Sequence, residues 1–145
     1  MNLGTDLINA HNLERFVRAQ NPVFEQVRSE LEEGRKKGHW MWFIFPQIRG
    51  LGYSDMATEF AISSREEGEA YLKHSVLGPR LRECSRLVIL VEGRPIGDIF
   101  GYPDNLKFWS SMTLFAEVTS ENRIFKDALQ KYFAGELDQL TLERL

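Results

Sequence analysis

The sequence predicts a mainly α, single multihelical globular domain with buried central helices. Three observations carry that prediction. Helix caps, helix stops and apolar residues at 3- and 4-residue spacing recur from residue 13 to the C-terminus. No Asn-Gly or Asp-Gly hairpin turn occurs. A chain of 145 residues, 43% hydrophobic and 27% charged, suits one domain with one core.

The first dozen residues read as a flexible lead-in, leaving 13–145 as the helical domain. Leu13, Phe16 and Val17 fall at helical spacing and predict a first helix ending near Gln20. Asn21 reads as a cap with Pro22 at the first helical position. Phe24, Val27 and Leu31 then form one apolar stripe, which Gly34 ends. The run Trp40-Met41-Trp42-Phe43-Ile44-Phe45 has no readable period and suits either a buried strand or a buried helical turn. With no second β-rich segment nearby to pair with it, a short helix or irregular segment is expected, closed by Pro46.

Ser54 is placed to cap a short helix over Met56, Ala57 and Phe60. Ser64-Arg65-Glu66-Glu67 matches a capping box and opens a helix that stops near His74. Gly78-Pro79 starts the next, with Leu81, Cys84, Leu87, Val88 and Val91 on its apolar face and Gly93 as its stop. Because residues 87–91 are apolar all round, this is expected to be the most buried helix in an all-helical fold, or a central strand in an α/β one. One helical turn follows from Pro95 to Phe100, and Pro103-Asp104 opens a long segment through Ala116. Ser120-Glu121 starts an amphipathic helix carrying Ile124, Phe125, Ala128, Leu129, Tyr132 and Phe133, capped by Gly135. Residues 141–145 read as a final turn or tail.

Composition narrows the function classes. A net charge of −3 and a pI near 5.7 weigh against generic nucleic-acid binding. No apolar run approaches the roughly 20 residues that cross a bilayer, so no membrane partner is expected. Cys84 is the single cysteine, so no internal disulfide forms. No secretory signal is readable, and a cytoplasmic protein is the expectation. His11, His39 and His74 stand far apart with no second ligand at metal spacing, so neither a metal nor another cofactor is expected.

Candidate chemistry lies in two segments. The first runs from Gly38 to Ser54, free of acidic residues and punctuated by Gly50 and Gly52. His39 beside Trp40 and Trp42 has the groups to hydrogen-bond a polar edge while an indole stacks on a ring. The two indoles point to different sides in a helix or a strand, so one at most lines a pocket, and core packing also accounts for both. Gln47, Arg49, Gly50, Gly52 and Ser54 suit an anion-binding loop, although glycines also serve ordinary turns. In the second segment, Lys107 has Ser110 and Ser111 at i+3 and i+4. A lysine with two hydroxyls suits a phosphate or an activated serine, and equally a polar stripe. His39, Lys107 and Ser111 are the catalytic candidates. Arg80 and Arg82, at a helix start where the dipole disfavours them, are expected to pair with nearby glutamates or else to contact an anion.

With those residues in view, the chain resembles a bacterial family known as domain of unknown function 1810, from about Leu13 to Leu145. The resemblance rests on Phe16–Gln20, His39–Gln47, Gly50–Ser54, Tyr71–Leu81 and Phe100–Phe115. It departs from the family pattern at Ser75, often proline, and at Trp109, often smaller or basic. The resemblance implies a multihelical fold and no established activity. The family is similar in general architecture to the helical domain that processes ADP-ribose and related nucleotides. Two function classes follow. One is binding, with hydrolysis as its catalytic extension, of a small anionic or nucleotide-like (ADP-ribose-type) ligand. The other is a non-enzymatic interaction module acting as a homodimer. The first requires residues 39–54 and 107–111 to meet in one cleft.

Overall fold

The structure, a computed structural model, describes residues 11–145. All but the last two residues of the expected lead-in lie outside the described residues. Among those described, ten helices and no strand form a single domain: α1 (Glu14–Gln20), α2 (Phe24–Glu33), α3 (Met41–Ile44), α4 (Asp55–Glu59), α5 (Arg65–Lys73), α6 (Leu77–Leu90), α7 (Ile96–Phe100), α8 (Asp104–Glu117), α9 (Arg123–Phe133) and α10 (Gln139–Glu143).

Local chemistry sets most boundaries. Gly34 takes φ +76° at the end of α2, a conformation that costs a residue with a Cβ. Pro46 holds Phe45 out of the helical region and limits α3 to one turn. Ser54 caps α4 by accepting from the Ala57 amide at 3.1 Å. Ser64 accepts from the Glu67 amide, while the Glu67 carboxylate reaches back to the Ser63 amide at 2.6 Å. That return bond goes one residue beyond the capping-box partner. His74 has a role the sequence reading missed. Its Nδ1 accepts from the amides of Val76 and Leu77 at the start of α6.

Several boundaries differ from expectation. Asn21 and Pro22 do not start α2: Asn21 continues the backbone of α1, its amide donating to Val17, and α2 begins at Phe24. α9 begins at Arg123 rather than Ser120, with the Asn122 side chain donating back to the Ala116 carbonyl. The segment read as a final turn or tail at 141–145 is a short helix that starts earlier, α10 over Gln139–Glu143, capped by Asp138.

The most buried helix is α8, and this corrects the assignment of that place to α6. Every residue from Ser110 to Ala116 is buried, because α8 packs against α5, α7, α9 and α10. α6 packs on α2, α5 and α9, and leaves Leu90 62% exposed. Its uniformly apolar end is therefore half covered. Among the described residues, Arg80 and Arg82 pair with no glutamate. Arg80 donates to the Gln20 side chain and lies over the Phe24 ring, and Arg82 donates to the Glu121 carbonyl and lies over Phe125.

At the centre, Phe45 meets Trp40, Phe100 and Phe108 at centroid separations of 6.3, 5.8 and 5.0 Å, the last two edge-on. This cluster ties α3 to α7 and α8. The chain then leaves α3 through a short parallel bridge. The Arg49 amide donates to Ile62 and the Ile62 amide to Gln47, both at 2.8 Å. The bridge fixes where the glycine loop starts.

Candidate functional site

Two segments far apart in sequence meet at one surface cleft of about 440 Å³. Gln47, Leu51, Gly52, Tyr53, Ser54 and Ala57 form one wall. Pro103, Leu106, Lys107, Trp109 and Ser110 form the other, with Asp138 and Leu140 closing one side. The volume lies in the usual range for a small-molecule site, and the walls are chiefly apolar. Gly52 allows the loop to lie close on α4, since a Cβ there would stand 2.9 Å from that of Ala57.

Lys107 is the cation on the cleft wall. Its Nζ sits 5.2 Å from the centre of the Trp42 ring and 3.5 Å from Asp104 Oδ1. The other carboxylate oxygen of Asp104 binds Lys36 at 2.9 Å. Lys36 also donates to the Gly38 carbonyl at 2.5 Å and lies over the Trp40 ring. Two lysines thus share one carboxylate, and Lys107 holds the weaker half.

At the other end, Asp138 is buried within a hydroxyl cluster. Its Oδ2 accepts from the hydroxyls of Ser110 at 2.6 Å and Thr141 at 2.7 Å. Its Oδ1 accepts from the Leu140 amide at 3.3 Å. Its own amide donates to Thr113 Oγ1, whose hydroxyl donates to the Trp109 carbonyl. The cluster seats α10 on α8. Trp109, stacked on Phe133 at 5.8 Å, is fixed by its indole N–H donating to the Glu136 carbonyl.

Of the residues singled out in the sequence, Gln47, Gly52, Ser54, Lys107 and Ser110 line the cleft. Trp42, Arg49 and Gly50 line a neighbouring chamber of about 40 Å³ beneath the glycine loop, which shares Gln47, Gly52 and Ala57 with the cleft. Arg144 lies across Gly50, where a Cβ would come within 2.7 Å of its Nε.

The remaining three lie elsewhere. Trp40 is core, its indole N–H donating to Glu30 at 2.9 Å. His39 is exposed and lines neither space. Ser111 is fully buried, and its hydroxyl has no hydrogen-bond partner among the described residues. One helical position separates Ser111 from Ser110, and that rotation turns it away from the cleft.

The sequence reading omitted Leu106, Trp109, Asp138 and Leu140 from the site. Asp138 carried a usable signal, an N-cap residue type just ahead of Leu140 and Leu142. The exposure of Tyr53 and Leu140 had none, because it depends on what packs nearby.

No metal-holding group of three His, Cys, Asp or Glu side chains occurs among the described residues. No described helix is long and apolar enough to cross a membrane.

No curated protein matches the chain. A solved structure does: the crystal structure of the conserved hypothetical protein Rv1873 from Mycobacterium tuberculosis, at 1.38 Å. It is 55% identical with a TM-score of 0.94, over 94% of this chain and 98% of that one. The family model described as "Protein of unknown function (DUF1810)" matches residues 10–145. With the fold shared and the match spanning nearly its whole length, this chain belongs to the DUF1810 family.

Proposed function

We propose that the protein is a ligand-binding domain whose cleft takes a phosphorylated or nucleotide-like small molecule. One observation carries this reading. The glycine loop and the first turns of α8 converge on an apolar cleft with Lys107 on its wall and Gln47, Ser54 and Ser110 around it. Aromatic and aliphatic walls suit a flat ring, and the lysine suits an anion.

Binding has more support than hydrolysis. His39 lies outside the cleft, and the Ser110 hydroxyl is directed to a carboxylate that already caps α10. A thermal-shift panel of nucleotides, cyclic nucleotides, sugar phosphates and heterocyclic carboxylates tests the reading. A ligand present at a hundredfold excess over its dissociation constant adds about 2.7 kcal/mol, a rise of several degrees. Lys107→Gln is expected to remove that rise for anionic ligands while leaving the unliganded melting temperature nearly unchanged. A panel with no shift sinks the proposal.

A second reading has its own observation. Tyr53 is 90% exposed, and Leu106 and Leu140, which also line the cleft, are exposed as well. Apolar residues gathered at one mouth suit pairing with a second copy of the chain. Light scattering over a hundredfold range of concentration separates the readings. A mass that doubles, and that Leu140→Ser returns to the monomer value, favours pairing.

A further inference from the structure

The cleft is poor in charge for a site that would hold a nucleotide. Among the residues lining it, Lys107 and Asp138 are the charged ones, and no arginine joins them. A ligand with two or more phosphate charges would meet one lysine as its counter-charge on the described lining. A second anionic group gains no partner there, and the nearby Asp138 carboxylate opposes it, so a polyphosphate has no advantage over a singly charged ligand.

Among the described residues lining the cleft itself, one positive charge is available, and the geometry shows why. Lys36 is nearly buried and occupied by Asp104 at 2.9 Å and by the Gly38 carbonyl. Lys107 reaches the same carboxylate at 3.5 Å, beyond the 2.7–2.9 Å of a good charge-assisted hydrogen bond. Lys36, Lys107 and Asp104 together leave a charge of one in excess. The Trp42 face holds the Lys107 ammonium in place. At the other end, a carboxylate has about four acceptor positions. Asp138 uses three of them, for Ser110, Thr141 and Leu140, leaving one. Its negative charge also opposes a second anionic group at that side of the cleft.

We propose that the cleft selects a flat heterocycle carrying a single negative charge, a carboxylate or a phosphodiester, which meets Lys107, and a hydrogen-bond donor that turns to Asp138. This rests on the cleft being a ligand site, as proposed above. Ring faces lie against Trp109, Leu106 and Tyr53, and the two ends are read by charge of opposite sign.

The test holds the base constant and varies the charge. Adenosine is neutral, 3′,5′-cyclic AMP carries one charge, and 5′-AMP carries close to two at neutral pH. Calorimetric titration of each into the full chain at low ionic strength is expected to rank the cyclic nucleotide first. The expected margin over the other two is about fivefold or more, worth about 1 kcal/mol. Lys107→Gln is expected to remove the margin over adenosine, with its melting curve confirming the fold. A pyridine carboxylate in the same titration separates the two sources of the charge: tighter binding than the cyclic nucleotide assigns the site to carboxylates and keeps the single-charge rule. If 5′-AMP or ATP binds more tightly than the cyclic form, the single-charge rule is wrong although the cleft remains a ligand site. If none of the probes binds, the ligand-site reading fails with it.

Discussion

Glu30 is a charged residue the fold has taken out of water, and its setting explains how it stays charged. Burial alone would raise its pKa. The amides of Gly38 and Lys37, the Gln26 side chain and the Trp40 indole all donate to it, and together they bring it down from 4.5 to about 2. Gly38 belongs to the same arrangement, since a Cβ there would fall 2.8 Å from the Trp40 ring. Because the folded pKa is depressed, the stabilisation is complete above pH 4.5 and is lost as pH falls toward 2. Its size is on the order of 3 kcal/mol. Urea titrations across pH 2–7 are expected to show a fall in stability in that window, and Glu30→Gln to flatten it. An unchanged pH profile in the variant would remove Glu30 from this role.

At the scale of the elements, Gly78, where α6 meets α5, leaves the least room for a side chain among the described glycines. A Cβ on Gly78 would stand 2.1 Å from the Leu72 carbonyl oxygen, which is backbone and cannot swing aside. Gly78→Ala is therefore expected to cost about 1–3 kcal/mol, through displacement of one helix against the other. Gly97, inside α7, faces open space, with nothing within 4 Å of where a Cβ would stand. Gly97→Ala is therefore expected to be neutral or slightly stabilising. Urea midpoints of the two variants check the pair. Equal effects would mean that helix propensity, rather than the close approach, governs both.

Across the whole molecule, Cys84 reports on the integrity of the core. It is fully buried on α6, and burial, with Glu83 nearby, pushes its thiol up to about 12. A thiol-specific reagent at pH 8 is expected to label the native protein at least about 10³-fold more slowly than the urea-unfolded chain, since reaction awaits opening of the core. Rapid labelling without denaturant would mean that α6 opens independently of the rest.

The helical class, the cap at Ser54, the stop at Gly34 and the one-turn α3 before Pro46 were legible in the sequence. Each depends on residues within about one helical turn. The glycine loop and Lys107 also stood out locally by residue type as two separate candidate segments, but whether they share a cleft was not legible. The depth of α8 relative to α6, the burial of Ser111, the position of His39 outside the cleft and the clamp around Asp138 were not legible. These depend on which helices pack side by side, and every apolar stripe looks alike until its neighbours are known. Local spacing thus determined the elements of this protein, while burial and the meeting of residues 47–57 with 103–110 and 138–140 were decided by tertiary packing alone.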